Sequence, residues 1–102
     1  MKKFYSLILF LFLSFSYAQT ASSNGDIADF NMYPNPATGG KVFISTQLNH
    51  KKEVHIYDVL GTLILKTTLV SQELNIATLD AGVYVIRVFE KDKIATRKLI
   101  IK

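Results

Sequence analysis

Cysteine is absent from the 102 residues of this sequence. Its absence excludes disulfide bonds, a thiol nucleophile and a metal site built from thiolates. An N-terminal cysteine that could carry a lipid is excluded for the same reason. A domain of this size buries only about 60–65% of the surface of its unfolded chain, so it must be stabilised by an efficient apolar core.

Arginine is also scarce. The two arginines, Arg87 and Arg97, lie outside any basic run with interleaved aromatic residues. The formal net charge is +4, but Lys2 and Lys3 supply two of these charges in a segment that we expect to be removed. We therefore predict no nucleic-acid partner.

The residues that usually carry chemistry are few and lack the spacing that chemistry requires. His50 and His55 lie in a predicted loop and a predicted strand, which is not a recognisable metal-ligand spacing. Ser45 and Ser71 lack the flanking glycines of a nucleophile elbow. Residues 39–41 lack the rest of a phosphate-binding loop. We predict that the protein is not an enzyme and that it binds no metal, cofactor or small-molecule substrate. We also expect the domain to be too small for a pocket of ~300 Å³.

The N-terminal segment has the layout of a secretory signal peptide. Lys2 and Lys3 are followed by an apolar run over residues 4–15, and small residues precede a cleavage position between Ala18 and Gln19. The run is shorter than the roughly 20 residues that span a bilayer, which disfavours an uncleaved membrane anchor. We predict a signal peptide over residues 1–18, and the 84 residues that remain are enough for one domain. Residues 19–29 are rich in Thr, Ala, Ser, Asn, Gly and Asp, and we expect a flexible linker that is too polar to join a core.

The rest of the chain alternates between apolar and polar residues in short segments separated by turn residues. We predict strands over residues 42–46, 54–58, 63–69, 74–76, 83–89 and 94–102. Tyr84, Ile86 and Val88 share one face of their strand, and the opposite face is also largely apolar, which places this strand inside its sheet. Gly61 and Gly82 lie where the chain reverses, and we expect both to have positive φ. About seven short strands predict a small antiparallel β-sandwich.

The only two prolines flank Asn35 in the stretch Tyr33-Pro34-Asn35-Pro36. Because proline fixes φ and lacks an N–H, this stretch can belong neither to a helix interior nor to a central strand. We expect Pro34 and Pro36 to hold the junction between the linker and the first strand in one extended shape. The alternative is a rigid turn that no receptor reads.

Four motifs occur in a fixed order along residues 30–102, and the last of them ends the sequence. They are YPNP at 33–36, VHIYDVLG at 54–61, LDAGVYVIRV at 79–88 and RKLIIK at 97–102. In this order they resemble the type A C-terminal sorting domain of the type IX (Por) secretion system. The resemblance covers essentially the whole folded part of the chain.

The resemblance implies an Ig-like β-sandwich that is not an enzyme. It implies export to the periplasm by the signal peptide, recognition by the type IX secretion translocon, and passage across the outer membrane. It also implies that a surface sortase commonly removes the domain and joins the cargo to an anionic lipopolysaccharide on the cell surface. For the domain itself we expect membrane contact only during export. The residues that we expect the translocon to recognise are Pro34, Asn35, Pro36, Gly61, Gly82, Tyr84, Lys98, Leu99, Ile100, Ile101 and Lys102.

One feature departs from the pattern of that family, whose sorting domains usually follow a large cargo. Here only residues 19–29 separate the predicted signal peptide from the predicted sorting domain. The chain is then a free-standing sorting domain, a gene fragment or a protein with another exported role. Two interpretations from other classes also remain: a small secreted binding module, and a structural accessory protein of the cell envelope.

Overall fold

The computed structural model describes residues 25–102, which form β-strands joined by turns, with no helix in that range. The strands are β1 (Asn31–Tyr33), β2 (Lys41–Ser45), β3 (Lys52–Tyr57), β4 (Leu63–Leu69), β5 (Glu73–Asn75), β6 (Gly82–Glu90) and β7 (Lys93–Ile101). The predicted all-β class with seven short strands is confirmed. The predicted signal peptide over residues 1–18, and residues 19–24 of the predicted linker, lie outside the described residues.

The strands form two sheets, one with the order β1-β2-β5 and one with the order β4-β3-β6-β7. Every neighbouring pair of strands within the two sheets is antiparallel. β6 lies inside the larger sheet, between β3 and β7, as its two apolar faces predicted. The antiparallel sandwich expected from the sequence is therefore confirmed.

The core lies between the two sheets and is filled by the alternate side chains of each strand. Tyr84, Ile86 and Val88 of β6 all face it, with relative exposures of 8%, 0% and 0%. Val83, one position out of phase, is 46% exposed on the outer face. Burying one large aliphatic side chain stabilises a fold by roughly 1.5–3 kcal/mol, so this period of two accounts for much of the driving force.

Part of the predicted linker packs against the sandwich. Ile27 is only 5% exposed and belongs to the core. The backbone on either side is also paired, since Gln47 N donates to Ala28 O at 3.1 Å and Ile94 N donates to Gly25 O at 3.2 Å. The expectation that this segment is too polar to join a core is therefore wrong for Ile27. The Ile27 side chain can pack in the core because the backbone groups of its neighbours Gly25 and Ala28 are hydrogen-bonded to the sandwich.

The two glycines at predicted reversals differ. Gly61 has φ of 88°, in the turn between β3 and β4, as expected. Gly82 is instead the first residue of β6, opposite Ile101, and does not have positive φ. A Cβ built on Gly82 would meet the Tyr84 ring at 3.8 Å, an ordinary contact. The prediction for Gly82 is wrong because the chain completes its reversal before this residue and enters the strand in an extended conformation.

Candidate functional site

The terminal strand β7 lies at one edge of the four-stranded sheet and pairs with β6 alone among the strands. Leu99 points into the core and is fully buried, and the half-buried Ile101 packs against the same core. Lys98 and Ile100 have the opposite parity and lie on the outer face. Leu99 and Ile101 therefore alternate with Ile100 between the two faces of the strand.

The outer face of β7 carries a cationic strip. Lys98 lies opposite Val85, and Ile100 lies opposite the exposed Val83. Lys98 and Lys102 are exposed, and neither ammonium forms an ion pair within residues 25–102. The strip thus presents two unpaired positive charges on either side of an aliphatic side chain.

The proline motif reaches this strand through the Asn35 side chain. Its Nδ2 donates to the carbonyl oxygen of Lys98 at 2.8 Å, and its Oδ1 accepts from the N–H of Ile100 at 3.0 Å. A primary amide offers one donor and one acceptor as a peptide group does, so Asn35 replaces a neighbouring strand at this position.

The chain continues along the same strand at Ala37. Its N–H donates to Ile100 O at 2.8 Å, and its carbonyl accepts from the N–H of Lys102 at 2.9 Å. These bonds form a parallel bridge between Ala37 and Ile101. We call residues 35–37 the edge strap, because they cover the outer main-chain edge of the last residues of the strand.

Residues 34–36 form a bend rather than an extended segment, and both X–Pro peptide bonds are cis. The expectation that Pro34 and Pro36 hold an extended shape is therefore wrong. The chain turns from β1, which belongs to one sheet, to the edge of β7, which belongs to the other. Asn35 can contact that edge only because the chain bends here.

The other residues predicted for recognition have different surroundings. Tyr84 is in the core, opposite Leu99, and its hydroxyl donates to Asp80 O at 2.6 Å. Gly61 lies in the β3–β4 turn, and β3 and β6 separate that part of the sheet from β7. The structure thus brings Asn35 and the terminal strand together, gives Tyr84 a packing role, and leaves Gly61 outside this surface.

A buried polar cluster joins the two sheets elsewhere in the molecule, and the sequence-based predictions missed it. Lys52 Nζ lies 3.2 Å from Glu90 Oε2, with side-chain exposures of only 2% and 3%. The Thr46 hydroxyl and the His50 N–H donate to the same carboxylate at 2.7 and 3.0 Å. Lys52 also donates to His50 O at 2.8 Å. This ion pair is therefore well supplied with hydrogen bonds, as a buried pair must be.

The pKa of Glu90 reflects these surroundings. Burial alone would raise it, but the hydrogen bonds from Thr46 and Lys52, the charge of Lys52 and the His50 amide lower the pKa below its ordinary value. The carboxylate is accordingly charged at neutral pH. Glu90 is the last residue of β6, so the turn into β7 begins after it.

The structure also corrects the expectation about pockets. An open cleft of about 420 Å³ lies between residues 26–28, 47–48 and 90–93, and a second of about 300 Å³ lies between β4 and β5. Within residues 25–102 no group of three or more His, Asp or Glu side chains could hold a metal ion. The same part of the chain contains no helix that is long and apolar enough to cross a membrane.

Comparison with protein families gives one match that covers most of the chain. The sequence pattern of the family described as "Secretion system C-terminal sorting domain" matches residues 31–102. No curated protein gives a significant match.

A solved structure from Porphyromonas gingivalis also resembles this chain. It is described as that of PorZ, an essential bacterial surface component of the type IX secretion system, and it aligns with a TM-score of 0.56 at 23% identity. The alignment covers 72% of this chain and 11% of that one. At this identity the likeness shows the fold alone, and the chain spans about one ninth of the solved protein.

Proposed function

The chain belongs to the family of secretion system C-terminal sorting domains, and from this premise we propose that its β-sandwich is an export signal read by the type IX secretion translocon. Membership of this family supports a sorting role in type IX secretion and a secreted or cell-surface protein. Domains of this kind are in general not catalytic. We propose that this chain likewise has no catalytic activity of its own.

The proposal includes a route. Residues 1–18 direct the chain to the periplasm, and signal peptidase cuts between Ala18 and Gln19. The translocon then recognises the folded sandwich and moves the protein across the outer membrane, where a surface sortase cuts off the sandwich and joins the part before it to the cell surface. N-terminal sequencing of the exported protein tests the first step, with Gln19 as the expected first residue.

The family match over residues 31–102 carries the proposal, because it covers the sandwich almost from β1 to the last residue. The terminal strand supports it from the geometry. Its outer face presents Ile100 between Lys98 and Lys102. Neither lysine has an ion-pair partner among the described residues. A receptor can contact this strip without unfolding the sandwich.

The test is a fusion of residues 25–102 behind a foreign periplasmic protein, in a host that has this secretion system. The fusion begins at residue 25 because Ile27 belongs to the core. We expect the fusion to leave the cell or to appear on its surface. If it stays in the periplasm with a demonstrably folded sandwich, the sorting proposal is wrong, and a secreted binding module or an envelope accessory protein becomes the better interpretation.

Deleting residues 98–102 would not separate sorting from folding, because the deletion removes the fully buried Leu99. The sharper variant is Lys98→Ala with Lys102→Ala, which leaves the main chain and the core intact. We expect it to remain folded and to be exported less. A control with the same change in charge is Lys41→Ala with Lys51→Ala, which removes two exposed lysines outside β7 and should be exported as the parent is.

A further inference from the structure

The edge of a sheet is usually where a partner can add a strand, because its N–H and C=O groups are unpaired. β7 is such an edge by its position in the sheet. A receptor can therefore bind the terminal strand in two ways. A receptor can pair with its main chain, or it can contact the side chains on its outer face.

The edge strap occupies the outward main-chain groups at the C-terminal end of β7, which strand addition at that end would need. The Asn35 side-chain amide donates to Lys98 O and accepts from the Ile100 N–H. The Ala37 N–H donates to Ile100 O, and the Ala37 carbonyl accepts from the Lys102 N–H. At the other end of the strand, Ile94 N donates to Gly25 O. Segments from before β1 and after β1 thus cover the two ends of the same edge.

The strap is firmly held and offers no new edge of its own. Ala37 is fully buried in the core, so displacing the strap would expose a packed residue. Pro34 and Pro36 flank Asn35 and have no N–H to donate, which prevents a further strand from pairing continuously along the strap. Prolines at a sheet edge commonly have this blocking effect.

We infer that the secretion machinery reads the terminal strand through the side chains on its outer face while the edge strap stays in place, and not by strand addition. This inference rests on the proposed sorting function. The fitting partner is a protein surface that has carboxylates for Lys98 and Lys102 and an apolar area for Ile100 and Val83. Asn35 is a positioning residue that fixes the main chain between the two lysines.

The direct test locks the strap onto the strand. Ala37 and Ile101 are bridge partners, and neighbouring strands lie about 5 Å apart, which is within the range that a disulfide can span. The chain has no cysteine of its own, so Ala37→Cys with Ile101→Cys can form only one intramolecular bond. The single variants Ala37→Cys and Ile101→Cys are the matched controls.

We expect the oxidised double variant, fused as above, to be exported to the same extent as the single variants. If the single variants are exported and the oxidised double variant stays folded in the periplasm, the strap must open and the inference is wrong. If the unmutated fusion also stays in the periplasm, the proposed sorting function itself is wrong. The unmutated fusion therefore distinguishes a failure of the sorting proposal from a failure of the inference about the strap.

A second variant keeps the inference testable if the disulfide perturbs folding. Asn35→Ala opens part of the edge, and we expect the Ile100 amide to exchange with deuterium about two- to tenfold faster, as for the loss of one hydrogen bond of typical net strength. The Asn75→Ala variant, which loses a hydrogen bond to Ala77 outside this edge, is the control and should leave that amide unchanged. Export of Asn35→Ala should not exceed export of the parent. Higher export from the opened edge would overturn the inference.

Discussion

Two polar arrangements connect distant parts of this chain, and they differ in almost every physical respect. The cluster of Thr46, Lys52 and Glu90 is charged and buried, and it joins the two sheets. The Asn35 contacts are neutral and exposed, and they follow the edge of a single strand. The buried cluster has a structural role, because its ions would be costly without each other. The exposed contacts leave the core untouched and shape a surface.

The difference separates stability from recognition. Changes in the buried cluster should alter the free energy of unfolding strongly and should affect export only through folding. Changes at the edge and the outer face of β7 should alter export or local exchange while the sandwich stays folded. The sorting function and the stability of the fold then depend on different residues.

The largest expected effect is that of Lys52→Met. Removing the ammonium leaves the buried Glu90 carboxylate without its counter-ion, which typically costs about 3–5 kcal/mol. Denaturant unfolding of residues 25–102 measures this loss. The control is Lys41→Met, which breaks an exposed pair with Glu73 and should cost about 0–1 kcal/mol. Equal losses in the two variants would contradict the distinction, and Lys52→Met with Glu90→Leu should recover much of the stability.

A pH dependence should follow from the same carboxylate. The pKa of Glu90 is lowered from an ordinary value of 4.5, so its contribution to stability is present above about pH 4.5 and is lost as the pH falls through the lower pKa of the folded state. Denaturant unfolding at pH 7 and at pH 3 measures the loss. In Glu90→Gln the loss should be smaller.

The matched control for this prediction is Asp26→Asn. The pKa of Asp26 is also lowered, first by the hydrogen bond from Arg97 and then by that from the Ile27 amide, but this carboxylate is exposed. Its replacement should change the acid dependence less than Glu90→Gln does. If Glu90→Gln keeps the full acid dependence of the parent, the charged cluster is not its source.

Asn35→Ala should have only a small effect on stability. Its two hydrogen bonds to β7 are exposed, and a bond of this kind contributes about 0.5–1.5 kcal/mol net. We expect a loss near the lower end of that range, by denaturant unfolding. A loss as large as that of Lys52→Met would mean that the edge strap stabilises the fold as a whole.

The sequence was sufficient for β2 to β7, because burial on one face of a strand requires a period of two. It was not sufficient for β1, which has only three residues and shows no such period. The same period of two also places the charged residues of the buried cluster on the core-facing side of their strands. Lys52 has the parity of Val54, and Glu90 has the parity of Val88. Two residues of opposite charge at core-facing positions of neighbouring strands indicate a buried ion pair.

The edge strap could not be predicted in the same way. Asn35 and Ile100 are 65 positions apart, and no local pattern reports a contact between a side chain and a main chain at that distance. The proline spacing indicated rigidity but did not distinguish a bend from an extended segment, because a fixed φ is compatible with both. The role of Ile27 was missed for a related reason, since a single apolar residue carries no periodicity.

We expect export to depend on the outer face of β7 and not on the buried cluster. The most direct measurement is the fraction of folded fusion protein exported by two variants, Lys98→Ala with Lys102→Ala, and Glu90→Gln. We expect the lysine variant to keep the unfolding free energy of the parent and to lose export. We expect the folded fraction of Glu90→Gln to be exported as the parent is, despite its lower stability. If instead the lysine variant is exported normally while folded Glu90→Gln is retained in the periplasm, the outer face of β7 is not what export depends on.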